Sequence, residues 1–121
     1  MYPEEIVYAK EREPGATMTP CPVEAAIQMI GGKWKLLLLR FLLLNGPQRY
    51  NDLLSGVTAI SAKELTRNLR DLSEAGLVAR STEAEGTTTA KYALTEIGAG
   101  LMPTFQTLLV WGQQLLPPAH N

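Results

Sequence analysis

The segment Ser61–Arg80, SAKELTRNLRDLSEAGLVAR, admits few folds. Ser61 and Glu64 have the spacing of a capping box, in which the serine hydroxyl accepts the Glu64 N–H and the glutamate carboxylate reaches back to the Ser61 N–H. At about 100° per residue, Leu65, Leu69, Leu72 and Gly76 share one stripe, so the helix that follows packs through it and stops at Ala75-Gly76. Directly beyond lie two β-compatible segments, LVARS (77–81) and TTAKYALT (88–95). Residues 82–87, with Gly86 near the tip, join them with the chemistry of a hairpin.

What precedes this unit is helical. Pro22 suits a first helical position, which makes Cys21 the N-cap of a short helix to about Ile30, ended by Gly31-Gly32. A second helix runs from about Lys33 to Leu44 and ends at Asn45-Gly46-Pro47. Its apolar block, LLLLRFLLL (36–44), is broken by Arg40 and falls far short of the roughly 20 residues of a membrane span, so it reads as a core helix. A short helix over about Tyr50–Ser55 and a turn through Gly56, Val57 and Thr58 lead to Ser61. Short helix, turn, capped helix and two-stranded wing in that order predict a mainly α chain with a small β hairpin, a winged helix-turn-helix. Residues 1–20 are expected to form an N-terminal arm, 21–94 the winged domain, and 95–121 a helix, kinked or started late at Pro103, that serves dimerisation.

Charge is informative only when split along the chain. The 121 residues carry a net charge of -1 and 45% hydrophobic residues, a composition that excludes global disorder. Between Lys33 and Lys91, however, nine basic residues stand against six acidic ones. On the face of the capped helix opposite the leucines lie Lys63, Thr66, Arg67, Arg70 and Glu74. Arginine pairs bidentately with guanine, and lysine reaches guanine or phosphate. Ser61, Ala62 and Lys63 come earliest in that helix and would lie nearest the bases, with Arg70 on phosphate. A solvated face balanced by Asp71 and Glu74 is the competing reading. Trp34 is expected to anchor the core, with Lys33 and Lys35 beside it either solvated or on phosphate.

Catalysis and metal binding find little support. His120 is the penultimate residue, so no Cys/His or Ser/His dyad on a rigid scaffold is available, and one cysteine with one terminal histidine makes a poor metal site. Neither cofactor nor enzymatic activity is expected. The sole cysteine cannot form an intrachain disulfide, and acidic residues stand where a signal peptide would be basic; both fit a cytoplasmic protein.

CPVEAAIQMIGGKWKLLLLRFLLLNGPQRYNDLLSGVTAISAKELTRNLRDLSEAGLVAR, followed by KYALTEIGAGLMP, resembles the HxlR-type family of bacterial transcriptional regulators. The resemblance covers about residues 20–112. It rests on a combination: the cysteine before Pro-Val-Glu, GGKW, GPQRYNDL, Ile-Ser with L-T-x-x-L-x-x-L, EAGLV, and Y-x-L-T-x-x-G. It implies a homodimeric repressor or activator on double-stranded DNA, and implies that Cys21 matches a cysteine which in several members senses quinones, electrophiles or oxidants. Arg49, Thr88 and Lys91 join the candidate DNA contacts. Two departures matter: Thr58-Ala59 stands where the family often has Pro-Gly, and Thr87-Thr88-Thr89 stands where the wing often carries Pro-Pro-Arg, leaving Lys91 as a substitute cation.

Leu101, Phe105, Leu108, Leu109, Gly112, Leu115 and Leu116 recur at helical spacing and would be covered by a second copy of the chain. Symmetric pairing places two recognition helices about 34 Å apart, on the half-sites of a palindrome. The alternatives are a winged-helix module that binds protein, or a regulator that responds to a non-covalent small ligand. A buried, inert Cys21 competes with a helix-N-cap thiolate that senses oxidants, against which Glu24 works by repulsion.

Overall fold

Leu38, Leu39 and Leu42, on the inward side of the apolar run, are buried and centre the core. In the computed structural model, which describes residues 21–82 and 90–118, the elements follow as α1 (Pro22–Ile30), α2 (Lys33–Asn45), β1 (Gln48–Arg49), α3 (Tyr50–Gly56), α4 (Ala62–Glu74), β2 (Val78–Thr82), β3 (Ala90–Leu94), α5 (Glu96–Ala99) and α6 (Met102–Leu115). The expected arm, the hairpin tip with Thr88, and His120 lie outside the described residues. Leu53, Val57 and Ile60 from α3 and its turn, Leu65, Leu69 and Leu72 from α4, and Leu77 and Val78 at the start of the wing complete one cluster. Each fully buried leucine contributes about 1.5–3 kcal/mol relative to an exposed one.

Local chemistry accounts for the ends of α4. Ser61 Oγ accepts the Glu64 N–H at 3.1 Å, and Glu64 Oε1 accepts the Ser61 N–H at 3.0 Å, as the spacing predicts. At the other end Gly76 takes φ +80°, the Leu77 N–H reaches Leu72 O at 3.0 Å and the Gly76 N–H reaches Ser73 O at 3.1 Å. That pattern closes a Schellman turn, with Leu77 and Leu72 meeting in the core. The chain therefore leaves α4 already aimed along β2.

The sheet differs from the expected hairpin. Gln48 and Arg49 form an additional strand, giving the antiparallel order β1-β3-β2 with Gln48 opposite Tyr92, Arg49 opposite Lys91, and Ser81 opposite Lys91. The last helical region is split, because Pro103 has no N–H to carry the ladder back from α6 into α5, and the late start near that residue is the form adopted. Between the two, Thr95 and Gly98 tie the wing to the end of α4. The Thr95 hydroxyl donates to Gly76 O at 2.7 Å and accepts the Gly98 N–H at 3.1 Å, while the Thr95 N–H donates to Leu77 O at 3.0 Å. A Cβ on Gly98 would lie 2.3 Å from Leu77 O, so only glycine fits there.

Neither α1 nor α6 contains a buried residue. Val23, Ile27 and Met29 on α1 and Leu108, Leu109, Val110, Trp111 and Leu115 on α6 are exposed, and α6 carries no charged side chain. Among the described residues no helix is long and apolar enough to cross a membrane.

The turn between α3 and α4 is closed by the Ile60 N–H on Val57 O at 3.3 Å and holds Ala59 at φ +70°, a left-handed conformation that disfavours a Cβ. Ala59→Gly is expected to raise stability by about 0.5–1 kcal/mol, seen as an upward shift in thermal midpoint, because glycine adopts this conformation without strain. An unchanged or lower midpoint would show that the turn relaxes around alanine.

Candidate nucleic-acid interface

With Leu65, Leu69 and Leu72 buried, the helical period leaves the other side of α4 in solvent. Ala62, Lys63, Thr66, Arg67 and Arg70 are all exposed and line one shallow depression. This brings together the residues expected to read DNA. Ser61 sits at the N-terminal edge of the same face, its hydroxyl already engaged by the Glu64 N–H. Asn68, in the leucine stripe, is the one buried polar side chain among the described residues and donates to Glu64 O at 2.7 Å.

Three tethers fix how α4 presents this face. The Trp34 indole Nε1, on α2, donates to Glu64 Oε2 at 3.1 Å, so one carboxylate caps α4 and binds it to α2. Lys35 pairs with Asp71 at 3.4 Å. The Tyr50 hydroxyl, at the start of α3, donates to Ala62 O at 3.0 Å and lies 2.9 Å from Thr66 Oγ1. Lys33 Nζ stands 4.5 Å from the Trp34 ring centroid, a cation–π contact. Trp34 thus packs against the core as expected, and its polar edge does a second job. Of the two lysines left open between solvent and phosphate, one stacks on Trp34 and the other pairs with α4.

The Glu64 carboxyl is held below its ordinary value of 4.5, chiefly by the Ser61 N–H and then the Ser61 hydroxyl, with desolvation opposing and the Trp34 indole and Arg67 charge adding to the lowering.

The wing offers a second cationic point. Arg49 is exposed in β1 and stands opposite Lys91 across the ladder. Its N–H donates to Asp52 Oδ2 at 3.1 Å. Arg49, Tyr50, Asn51, Asp52 and Arg80 line another depression with Ala90 and Tyr92, and the Tyr50 hydroxyl also bonds to Ala62 and Thr66 of the first. Tyr50 and Arg80 were outside the residues singled out by sequence. Arg80 carried a signal only in its charge, whereas the role of Tyr50 depends on α3 meeting α4.

Cys21 lies apart from this face, at the N-terminus of α1. It is 4% exposed, and its N–H donates to Glu24 Oε1 at 3.4 Å. Among the described residues no group of three or more His, Cys, Asp or Glu side chains could hold a metal ion.

The profile of the HxlR-like helix-turn-helix family matches residues 29–120. YkvN of Bacillus subtilis, named an uncharacterised helix-turn-helix-type transcriptional regulator, is 40% identical over 92 residues, which cover 76% of this chain and 77% of YkvN. The transcriptional regulator YodB of B. subtilis, solved in its reduced form, superposes with a TM-score of 0.71 at 30% identity over 84% of this chain and 100% of that chain. The redox regulator HypR in its reduced form superposes with a TM-score of 0.68 at 33% identity, over 77% of this chain and 91% of that one. YodB is also known in diamide-treated and quinone-bound forms, which superpose at 29% identity with TM-scores of 0.64 and 0.65, over 84% and 76% of this chain and 100% and 96% of those chains. YkvN and YodB are named as regulators of transcription and HypR as a redox regulator, none of them as an enzyme.

A carboxyl whose folded value is lowered contributes stability above its unfolded value and loses that contribution as pH falls through the folded one. Glu64→Gln should therefore unfold at a lower urea concentration than wild type at pH 7, and the two midpoints should converge towards pH 3. Midpoints that coincide at pH 7 would mean that the carboxylate charge does not hold α4.

Proposed function

Because this chain belongs to the HxlR-like helix-turn-helix family, we propose that it regulates transcription by binding double-stranded DNA as a homodimer, with α4 in the major groove. The observation that carries this reading is the single exposed face formed by Lys63, Thr66, Arg67 and Arg70 behind a fully buried leucine stripe. Arg67 pairs with a guanine edge, Lys63 with a base or phosphate, and Arg70 with phosphate. Ser61 and Ala62 allow close approach at the start of the helix. Arg49 and Lys91 meet the backbone from the wing, and Thr88, outside the described residues, belongs to the same group.

Leu101 and Phe105 pack against the core, and dimerisation is supported by the apolar side chains of α1 and α6 that stay exposed, Val23, Ile27 and Met29 on the one and Leu108, Leu109, Trp111 and Leu115 on the other. A symmetric pair built on them would bind a palindrome. Sensing of oxidants or electrophiles through Cys21 is supported by its N-cap position and by the redox forms in which HypR and YodB are known. With a single cysteine per chain, the oxidised product is an intersubunit disulfide, a mixed disulfide or a sulfenic acid. A thiol this buried reacts only when the start of α1 opens, which makes the response conformational as well as chemical.

Binding to a promoter fragment of the protein's own operon should weaken steeply with added salt as counterions are released. Arg67→Ala should cost about 1–3 kcal/mol on the specific site and much less on random DNA. No binding at low salt would favour a winged domain that docks protein. Diamide should release wild type from the fragment and leave Cys21→Ser bound; release of both would remove Cys21 as the sensor.

A further inference from the structure

We infer that Tyr50 sets the hydrogen-bonding polarity of Thr66 and thereby makes Thr66 a reader of bases that carry an exocyclic amino group in the major groove. The inference rests on the reading of α4 as the DNA-contacting helix. A phenol has one proton. Tyr50 gives it to Ala62 O at 3.0 Å, and its oxygen lies 2.9 Å from Thr66 Oγ1. Both contacts are hydrogen bonds only when Thr66 donates its own proton to Tyr50. The Thr66 hydroxyl, on the exposed face beside Lys63, Arg67 and Arg70, then has acceptor capacity alone to offer outward.

An acceptor-only hydroxyl discriminates. It takes a hydrogen bond from adenine N6 or cytosine N4, and it is repelled by guanine O6 and N7, thymine O4 and phosphate oxygens. Beside Lys63, Arg67 and Arg70, cationic donors that favour guanine and phosphate, Thr66 asks for a donor. Threonine by itself has no such preference, because a hydroxyl that can rotate donates or accepts as required. Tyr50 is thus a positioning residue for specificity that acts through Thr66, and the chain from Ala62 O through Tyr50 to Thr66 couples α3 to the reading surface.

The test is selection from a pool of random DNA duplexes at fixed salt, with wild type, Tyr50→Phe, Thr66→Val and Thr66→Ser in parallel. Wild type should favour adenine or cytosine over guanine and thymine at one base position per half-site by about three- to tenfold, the worth of one hydrogen bond. Tyr50→Phe keeps the ring but lets the threonine proton turn outward, so that preference should drop below about twofold while the others persist. Thr66→Val should lose the same preference with the Tyr50–Ala62 bond intact, and decides the matter by itself should the Tyr50→Phe chain fail to fold. Thr66→Ser should retain it. Preferences at every position that match wild type in Tyr50→Phe, or in Thr66→Val, would overturn the inference and leave the DNA-binding proposal standing. Failure of wild type to enrich any sequence would overturn both.

Discussion

Leu65, Leu69 and Leu72 of α4 share one core with Leu38, Leu39 and Leu42 of α2, and this packing decides the angular position of every other side chain on α4. Once the stripe is buried, helical geometry turns Lys63, Thr66, Arg67 and Arg70 outward. Apolar contact is non-directional, however, and a leucine stripe alone would tolerate some rotation and sliding. The polar tethers remove that latitude. Glu64 accepts from Ser61 and Trp34, Tyr50 donates to Ala62 O of α4, and Lys35 meets Asp71, so α2 and α3 each hold α4 by hydrogen bonds or charge as well as by packing. Burial supplies the affinity of the helix for its bed, and these bonds supply its register.

The features that were legible in the sequence are those whose causes are local. The Ser61–Glu64 cap, the glycine stop at Gly76, the Cys21 N-cap and the leucine period each depend on residues within a turn or two of one another. Their assembly into a winged helix-turn-helix followed from their order. What stayed hidden depends on residues that are far apart along the chain. The Trp34–Glu64 bond joins positions 30 residues apart, and the Tyr50–Thr66 contact joins positions 16 apart. β1 is two residues long and too short to show a period; it exists because β3 arrives about forty residues later. Pro103 announced a break without choosing between a kink and a late start, a choice made by the turn through Gly100 and Leu101.

The candidate site divides in the same way. The α4 residues could be selected from one helical face. Arg49 and Lys91 owe their proximity to a ladder that no local pattern announces. Cys21 was legible as a helix cap, but its burial is a tertiary property that the N-cap position does not imply. The surfaces of α1 and α6 make the converse case: their apolar character was plain in the sequence, and the fold leaves them exposed.

The junction of the wing with α4 has a mechanical consequence. Thr95 bonds to both Gly76 and Leu77, and Gly98 is packed so closely on Leu77 O that no side chain fits between them. α4 and the strands cannot change their mutual angle without tearing these contacts. A tilt arriving from α2 through Trp34 would consequently swing the helix and the wing as one lever. Small displacements at the base of that lever are magnified at its far end, so a shift of less than an atomic diameter near α1 re-aims the exposed face of α4 without unfolding any part of the domain.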